Sequence, residues 1–114
     1  DLLESRGLGD VYKRQKVINV SKIRSDKNKI TYYVKGQLFF VSKMYFLQGF
    51  DIYEHPKEIT IDMNAAHIWD QSGVIALEQI IRKFKNGGSK VEVIGLNEES
   101  LNLFERLGGI ETTH

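Results

Sequence analysis

The chain has 114 residues, 41% of them hydrophobic and 27% charged, which is ordinary for one globular domain able to bury a single core. It has no cysteine, which excludes disulfides, thiolate metal sites and a cysteine nucleophile. With 16 basic against 15 acidic residues it carries no polyanion-binding signature, so no nucleic-acid partner is expected. No apolar run approaches the roughly 18–20 residues of a membrane span, no signal peptide is visible, and direct membrane insertion is not expected.

Residues 1–15, "DLLESRGLGDVYKRQ", lack a strong hydrophobic period and do not begin with Met. They are similar to translated adapter sequence at the ends of proteins from shotgun assemblies. We therefore expect a non-native leader over 1–15 and one domain over 16–114, itself a piece of something longer. The alternative is a short native amphipathic lead-in.

Segments 17–23 ("VINVSKI") and 30–35 ("ITYYVK") are rich in β-branched and aromatic residues, with Ile30, Tyr32 and Val34 sharing one face. The polar "RSDKNK" between them predicts an antiparallel hairpin. Gly36 interrupts the second strand, and "QLFF" reads as a short, bent or bulged continuation. Ser42 stands where an N-cap belongs before a short helix ending near Gly49, with Val41 and Phe46 placed for a hydrophobic staple. Pro56 breaks the connection that follows.

"EITIDM" at 58–63 predicts a strand, and Val74, Leu77, Ile80, Ile81 and Phe84 give a helix from Gln71 that Asn86-Gly87-Gly88 stops. Glu78 and Arg82 on its polar face stand four apart in the favourable order. "KVEVIGL" predicts a further strand. A last helix over 98–107 follows, with Asn97 as cap, Glu98 and Glu99 in its first turn, and Leu101, Phe104 and Leu107 as its stripe. Gly108-Gly109 ends it, and "IETTH" could add an edge strand. The order β-β-(β)-α-β-α-β-α implies an α/β sandwich with one mixed sheet of four to five strands and helices mainly on one face.

Between the third strand and the second helix stands "AAHIWDQSGV" at 65–74. Asp70 as N-cap can accept the amides of Ser72 or Gly73, worth about 1 kcal/mol. Trp69 and Val74 fall at the staple positions on either side. Together with "VKGQLFFVS" at 34–42 and "VEVIGLNEES" at 91–100, this segment resembles a STAS domain. The likeness is strongest to the cytoplasmic C-terminal STAS domain of bacterial sulfate-permease-type (SulP) anion transporters, and it covers roughly residues 16–110. The "GQLFF" turn is typical of transporter STAS domains, whereas stand-alone relatives usually read Gly-Glu-Leu-Asp.

In the stand-alone relatives, which are anti-sigma-factor antagonists, phosphorylation falls on the residue after the Asp of an Asp-Ser-Ser-Gly motif. Here that residue is Gln71, which cannot be phosphorylated; Ser72 matches the second serine. The resemblance thus implies a STAS-like fold without enzymatic activity or cofactor, at the cytoplasmic face of the inner membrane. Its partners would be the membrane domain of the same transporter, a second STAS copy or a soluble regulatory protein. Asn64, His67, Asp70, Gln71 and Ser72 form the candidate partner- or anion-binding loop. A stand-alone signalling protein is the alternative, and a nucleotide- or lipid-binding STAS module a third.

Other chemistries find little support. His55, His67 and His114 are scattered, with no carboxylate at metal-ligand spacing, so no metal site is expected. His67 reads as a packed or half-exposed side chain. Asp62 and Asp70 give no reason for acid–base geometry, and Ser72 has no base or nucleophile elbow. "NGGSK" at 86–90 ends a helix instead of opening one, and the positive "IRKFKNGGSK" reads as a solvated face. The amides opening the second helix could hold an anion weakly, against the charge of Asp70.

If residues 1–15 are foreign, removing them leaves the melting temperature nearly unchanged. Thermal unfolding of the full and shortened chains checks this; a drop of many degrees would make them part of the core.

Overall fold

A computed structural model describes residues 17–106. Strands β1 (Ile18–Asp26), β2 (Lys29–Leu38), β3 (Glu58–Ile68) and β4 (Lys90–Ile94) form one sheet in the order β1-β2-β3-β4. Helix α1 (Lys43–Gln48) joins β2 to β3, α2 (Gln71–Asn86) joins β3 to β4, and α3 (Glu98–Arg106) follows β4. The β1–β2 pairing is antiparallel and the other two are parallel, so the sheet is mixed, as expected. Leu107, Gly108-Gly109, "IETTH" and the leader lie outside the described residues.

Alternation places Ile30, Tyr32, Val34 and Leu38 of β2 beside Ile59, Ile61 and Met63 of β3 and Val91 and Val93 of β4. Helix α2 lays Val74, Leu77, Ile80, Ile81 and Phe84 against that surface, and α1 adds Phe46. On the opposite sheet face Tyr33, Lys35 and Glu92 are exposed, while Thr31 and Thr60 are half-buried. Tyr32, Phe50 and Phe84 form an aromatic centre, with ring centroids of Tyr32 and Phe50 4.7 Å apart. The Tyr32 hydroxyl accepts the Asp51 amide at 3.2 Å, and burial pushes the phenol above its ordinary pKa.

Several local expectations are corrected. Strand β3 does not stop at Met63 but runs to Ile68, because pairing with β2 resumes beyond a bulge. Tyr33 faces Asp62 while Lys35 faces Ala65, so β3 carries one extra residue. Asp62 Oδ1 accepts the Asn64 amide at 2.9 Å and holds the bulge. Strand β4 ends at Ile94, two residues short of the predicted segment. Strand β2 passes through Gly36 without a break and ends at Leu38, so Phe39 and Phe40 lie in a turn and "QLFF" is no separate strand.

Ser42 occupies the N-cap position of α1, but its side chain makes no cap bond. Fully buried, it donates to Gln37 O at 2.6 Å and accepts from Phe39 N at 3.1 Å, tying the loop rather than the helix. Val41 is 61% exposed, so the Val41–Phe46 staple is absent. In α3 the buried side is Ser100 and Phe104, with Leu103 packed beside them and Leu101 only half-buried. The predicted stripe was thus turned partly the wrong way.

Gly36 combines φ +119° with a close approach: a Cβ there would meet the Val17 carbonyl oxygen. No L side chain takes that conformation without strain. Gly36→Ala is expected to destabilise the domain by about 1–3 kcal/mol, measured as a lower denaturant midpoint at unchanged slope.

Candidate functional site

At the carboxyl end of the sheet the β2–α1 turn, the start of α2 and the start of α3 converge on the last residues of β3. Asp70 joins the first two. Its backbone is extended, Oδ1 accepts Gly73 N at 3.0 Å, and Oδ2 accepts Phe40 N at 3.1 Å. The expected cap is therefore present, on Gly73, and the same carboxylate also fixes the neighbouring loop. Gly73 is required by the packing: a Cβ there would meet Leu38 O and the Ile68 side chain. The helix start can sit this close to β2 only without a side chain.

Trp69 does not staple to Val74. Val74 is buried, whereas the indole is 62% exposed. It lies across the β2 end, where its Nε1–H donates to Gln37 Oε1 and its ring stands 5.9 Å from Phe39. On the other side its centroid is 6.0 Å from the His67 ring.

His67 is half-exposed, as expected. Its Nδ1 is 3.0 Å from Asn97 Nδ2 and its Nε2 is 3.4 Å from Glu99 Oε1. Asn97 caps α3, as predicted: its Oδ1 accepts Ser100 N at 2.7 Å. Ser100 Oγ in turn accepts the Ile68 amide at 2.9 Å in a buried position. An open groove of about 680 Å³ runs beside this contact, lined by His67, Trp69, Glu99, Leu103, Glu105 and Arg106 among others.

Of the five candidate residues, the structure brings His67, Asp70 and Gln71 to this end of the molecule. Gln71 is exposed at the first position of α2, and Ser72 is half-buried behind it. Asn64 is set apart: it stands in the bulge against Gly95, bonded to Asp62. Sequence reasoning missed Gln37, Phe40, and the pairing of His67 with Asn97 and Glu99. The exposed "FFV" after β2 was the available signal for Phe40; nothing local marks a contact between residues thirty positions apart. Among the described residues no group of three or more His, Asp or Glu could hold a metal, and no helix is long and apolar enough to cross a membrane.

Five large apolar side chains are exposed on the two segments that Asp70 joins. Phe40, at 67%, Val41 and Met44 come from the β2–α1 side, and Trp69 and Ile75 from the β3–α2 side. Exposed apolar side chains on neighbouring segments are a feature of contact surfaces. The sequence matches the STAS domain profile over residues 19–112, and the chain belongs to the STAS domain family.

The chain is similar to YbaR of Bacillus subtilis (strain 168), described as a candidate sulfate transporter, at 38% identity over 96 residues. That match covers 80% of this chain but spans only 20% of YbaR. It is also similar to the STAS domain of an antisigma-factor antagonist from Rhodobacter sphaeroides. There the identity is 35% and the TM-score 0.68, covering 71% of this chain and 89% of that one. The SulP transporter STAS domain of Vibrio cholerae shares the fold at 22% identity and a TM-score of 0.57, over 73% of this chain and 66% of that one.

Asp70→Ala removes acceptors from two amides at once. The expected loss is about 1–2 kcal/mol, at the upper part of the range for a cap. Asp70→Asn keeps one acceptor oxygen and should recover part of it. Equilibrium denaturation of the three proteins checks both; an Ala variant as stable as the parent would remove Asp70 from the cap.

Proposed function

We propose that this STAS domain is the regulatory or assembly module of a SulP-type anion transporter, working at the cytoplasmic face of the membrane through protein contacts and not through catalysis. The observation that carries this reading is Gln71. The exposed first position of α2 holds an amide where a phosphate switch needs a hydroxyl. A carboxamide donates and accepts hydrogen bonds but gains no charge. Phosphorylation would add about −1.5 to −2 charges at such a tip and change partner affinity. An uncharged tip suits constitutive docking: on the membrane domain of the same transporter, a second STAS copy or a soluble regulatory protein. The similarity to YbaR and the "GQLFF" turn support the same reading. Ion movement would belong to the rest of the transporter, and the transported anion is not a property of this domain.

One observation favours the stand-alone signalling reading: the similarity to the Rhodobacter sphaeroides antagonist spans nearly all of that chain. The two readings separate on Ser72. Incubation with anti-sigma kinases and ATP, followed by intact mass measurement, is expected to add no stoichiometric phosphate. One phosphate mapped to Ser72, with loss of partner binding, would favour the signalling protein and overturn the transporter reading.

A further inference from the structure

We propose that the end of the sheet where β2, β3 and β4 begin is a docking surface for an acidic segment of another protein. Separate stretches of chain bring exposed lysines together there. Lys27 and Lys29 come from the β1–β2 turn, Lys57 from the entry to β3, Lys90 from the start of β4, and Lys83 and Lys85 from the last turn of α2. Backbone bonds fix these stretches side by side. Asn28 O accepts Glu58 N at 2.8 Å, Lys57 O accepts Lys90 N at 2.8 Å, and Phe84 O accepts Ser89 N at 3.1 Å. The buried Ser89 hydroxyl closes the set by donating to Pro56 O at 2.5 Å. In sequence "IRKFKNGGSK" stands alone; in the fold Lys27, Lys29 and Lys57 join it.

This charge is not neutralised within the domain. Glu58 stands in register between Lys29 and Lys90 and pairs with Lys29 at 3.7 Å. Glu54 is taken by Lys22 and Arg24, and Asp26 Oδ1 accepts Asn28 N. Lys27, Lys57, Lys83, Lys85 and Lys90 have no ion pair among the described residues. The negative end of the α2 dipole accounts for Lys83 and Lys85. It does not account for Lys27, Lys57 or Lys90. Gathering like charges at one end repels within the fold and attracts an anion from outside.

The chemistry of the surface selects a protein segment over other polyanions. A bilayer contact calls for apolar or aromatic side chains that enter the interface. The exposed Phe40, Val41, Met44 and Trp69 stand at the opposite end of the sheet. Strand β3 alone, 11 residues long at about 3.3 Å each, separates the two ends. Single-stranded nucleic acid is held by stacking on aromatic rings, and no exposed aromatic ring belongs to these lysine stretches. A net charge of +1 leaves a duplex little long-range attraction. Lysine ammoniums are flexible point charges without the fork of a guanidinium, and they suit the scattered carboxylates of an extended acidic peptide. The surface lies apart from Gln71, so the inference does not need the transporter reading.

Fluorescence anisotropy of a labelled peptide of repeated Glu-Gly units, titrated with the 114-residue chain, tests it, with Gln-Gly repeats as the control. Binding of the Glu peptide should weaken at least about tenfold between about 0.1 M and about 1 M salt, as the screening length falls from about 10 Å to about 3 Å. The variant Lys57→Gln/Lys85→Gln/Lys90→Gln should weaken it about tenfold, the sum expected of three exposed ion pairs. Lys35→Gln/Lys43→Gln removes the same kind of charge from the other end of the molecule and should change binding less than about twofold. Amide shifts on adding the Glu peptide should concentrate at residues 27–29, 57–58 and 83–90. Absence of binding, equal binding of the Gln peptide, or an equal loss in the Lys35/Lys43 variant would overturn the proposal. Tighter binding to phosphatidylserine-containing vesicles, or to a polythymidine strand, would also overturn it and reassign the surface to lipid or nucleic acid.

Discussion

Everything at the candidate site depends on the phase of β3, and one inserted residue sets that phase. Side chains along a strand alternate between faces, so a shift of one position exchanges the buried and exposed sets. Up to Met63 the odd-numbered residues Ile59, Ile61 and Met63 are buried; after the bulge the buried residues are Ala66 and Ile68. Had the first phase continued, Ala65 and His67 would point into the core and Ile68 toward solvent. Burying an imidazole without partners while exposing an isoleucine would cost free energy at both positions. The Asp62–Asn64 bonds and the contact of Gly95 with Asn64 hold the extra residue in place. Asn64 thus serves the site from a distance, as part of the device that turns His67 outward.

The second constraint is the joining of two chain segments by one carboxylate. A loop as exposed as Phe39–Val41 would ordinarily be mobile, since its backbone can bond to water. Here Ser42 ties it from below through Gln37 O and Phe39 N, and Asp70 ties it from the side through Phe40 N. Exposed apolar residues on a fixed backbone lose little further entropy when a partner covers them. Preorganisation of this kind lowers the entropic cost of covering the loop.

Most of the architecture was legible in the sequence because it rests on local signals. The hairpin, the α2 stripe, the Asp70 cap and the Asn97 cap each depend on residues within a few positions of one another. The errors share a different origin. Ser42 and Trp69 occupy cap and staple positions by spacing, yet tertiary partners claim both: Gln37 O takes the hydroxyl and Gln37 Oε1 takes the indole N–H. The β3 bulge is set by pairing with β2 and cannot be read from β3 alone. The same holds for the candidate site. Asp70 and Gln71 could be placed from their motif, but the contact of His67 with Asn97 spans two parallel strands and a helix.

Trp69 connects the two halves of this end of the molecule. Its ring lies beside His67 on the α3 side and Phe39 on the α1 side, and Gln37 fixes its only polar atom. An indole left largely exposed gains little from burial, so its position is set by these three neighbours and not by the core. Two of them, Gln37 and Phe39, belong to the segment that Ser42 and Asp70 immobilise; the third, His67, belongs to the α3 contact. The ring therefore bridges the anchored β2–α1 turn and the start of α3, through contacts at the surface and not through the sheet.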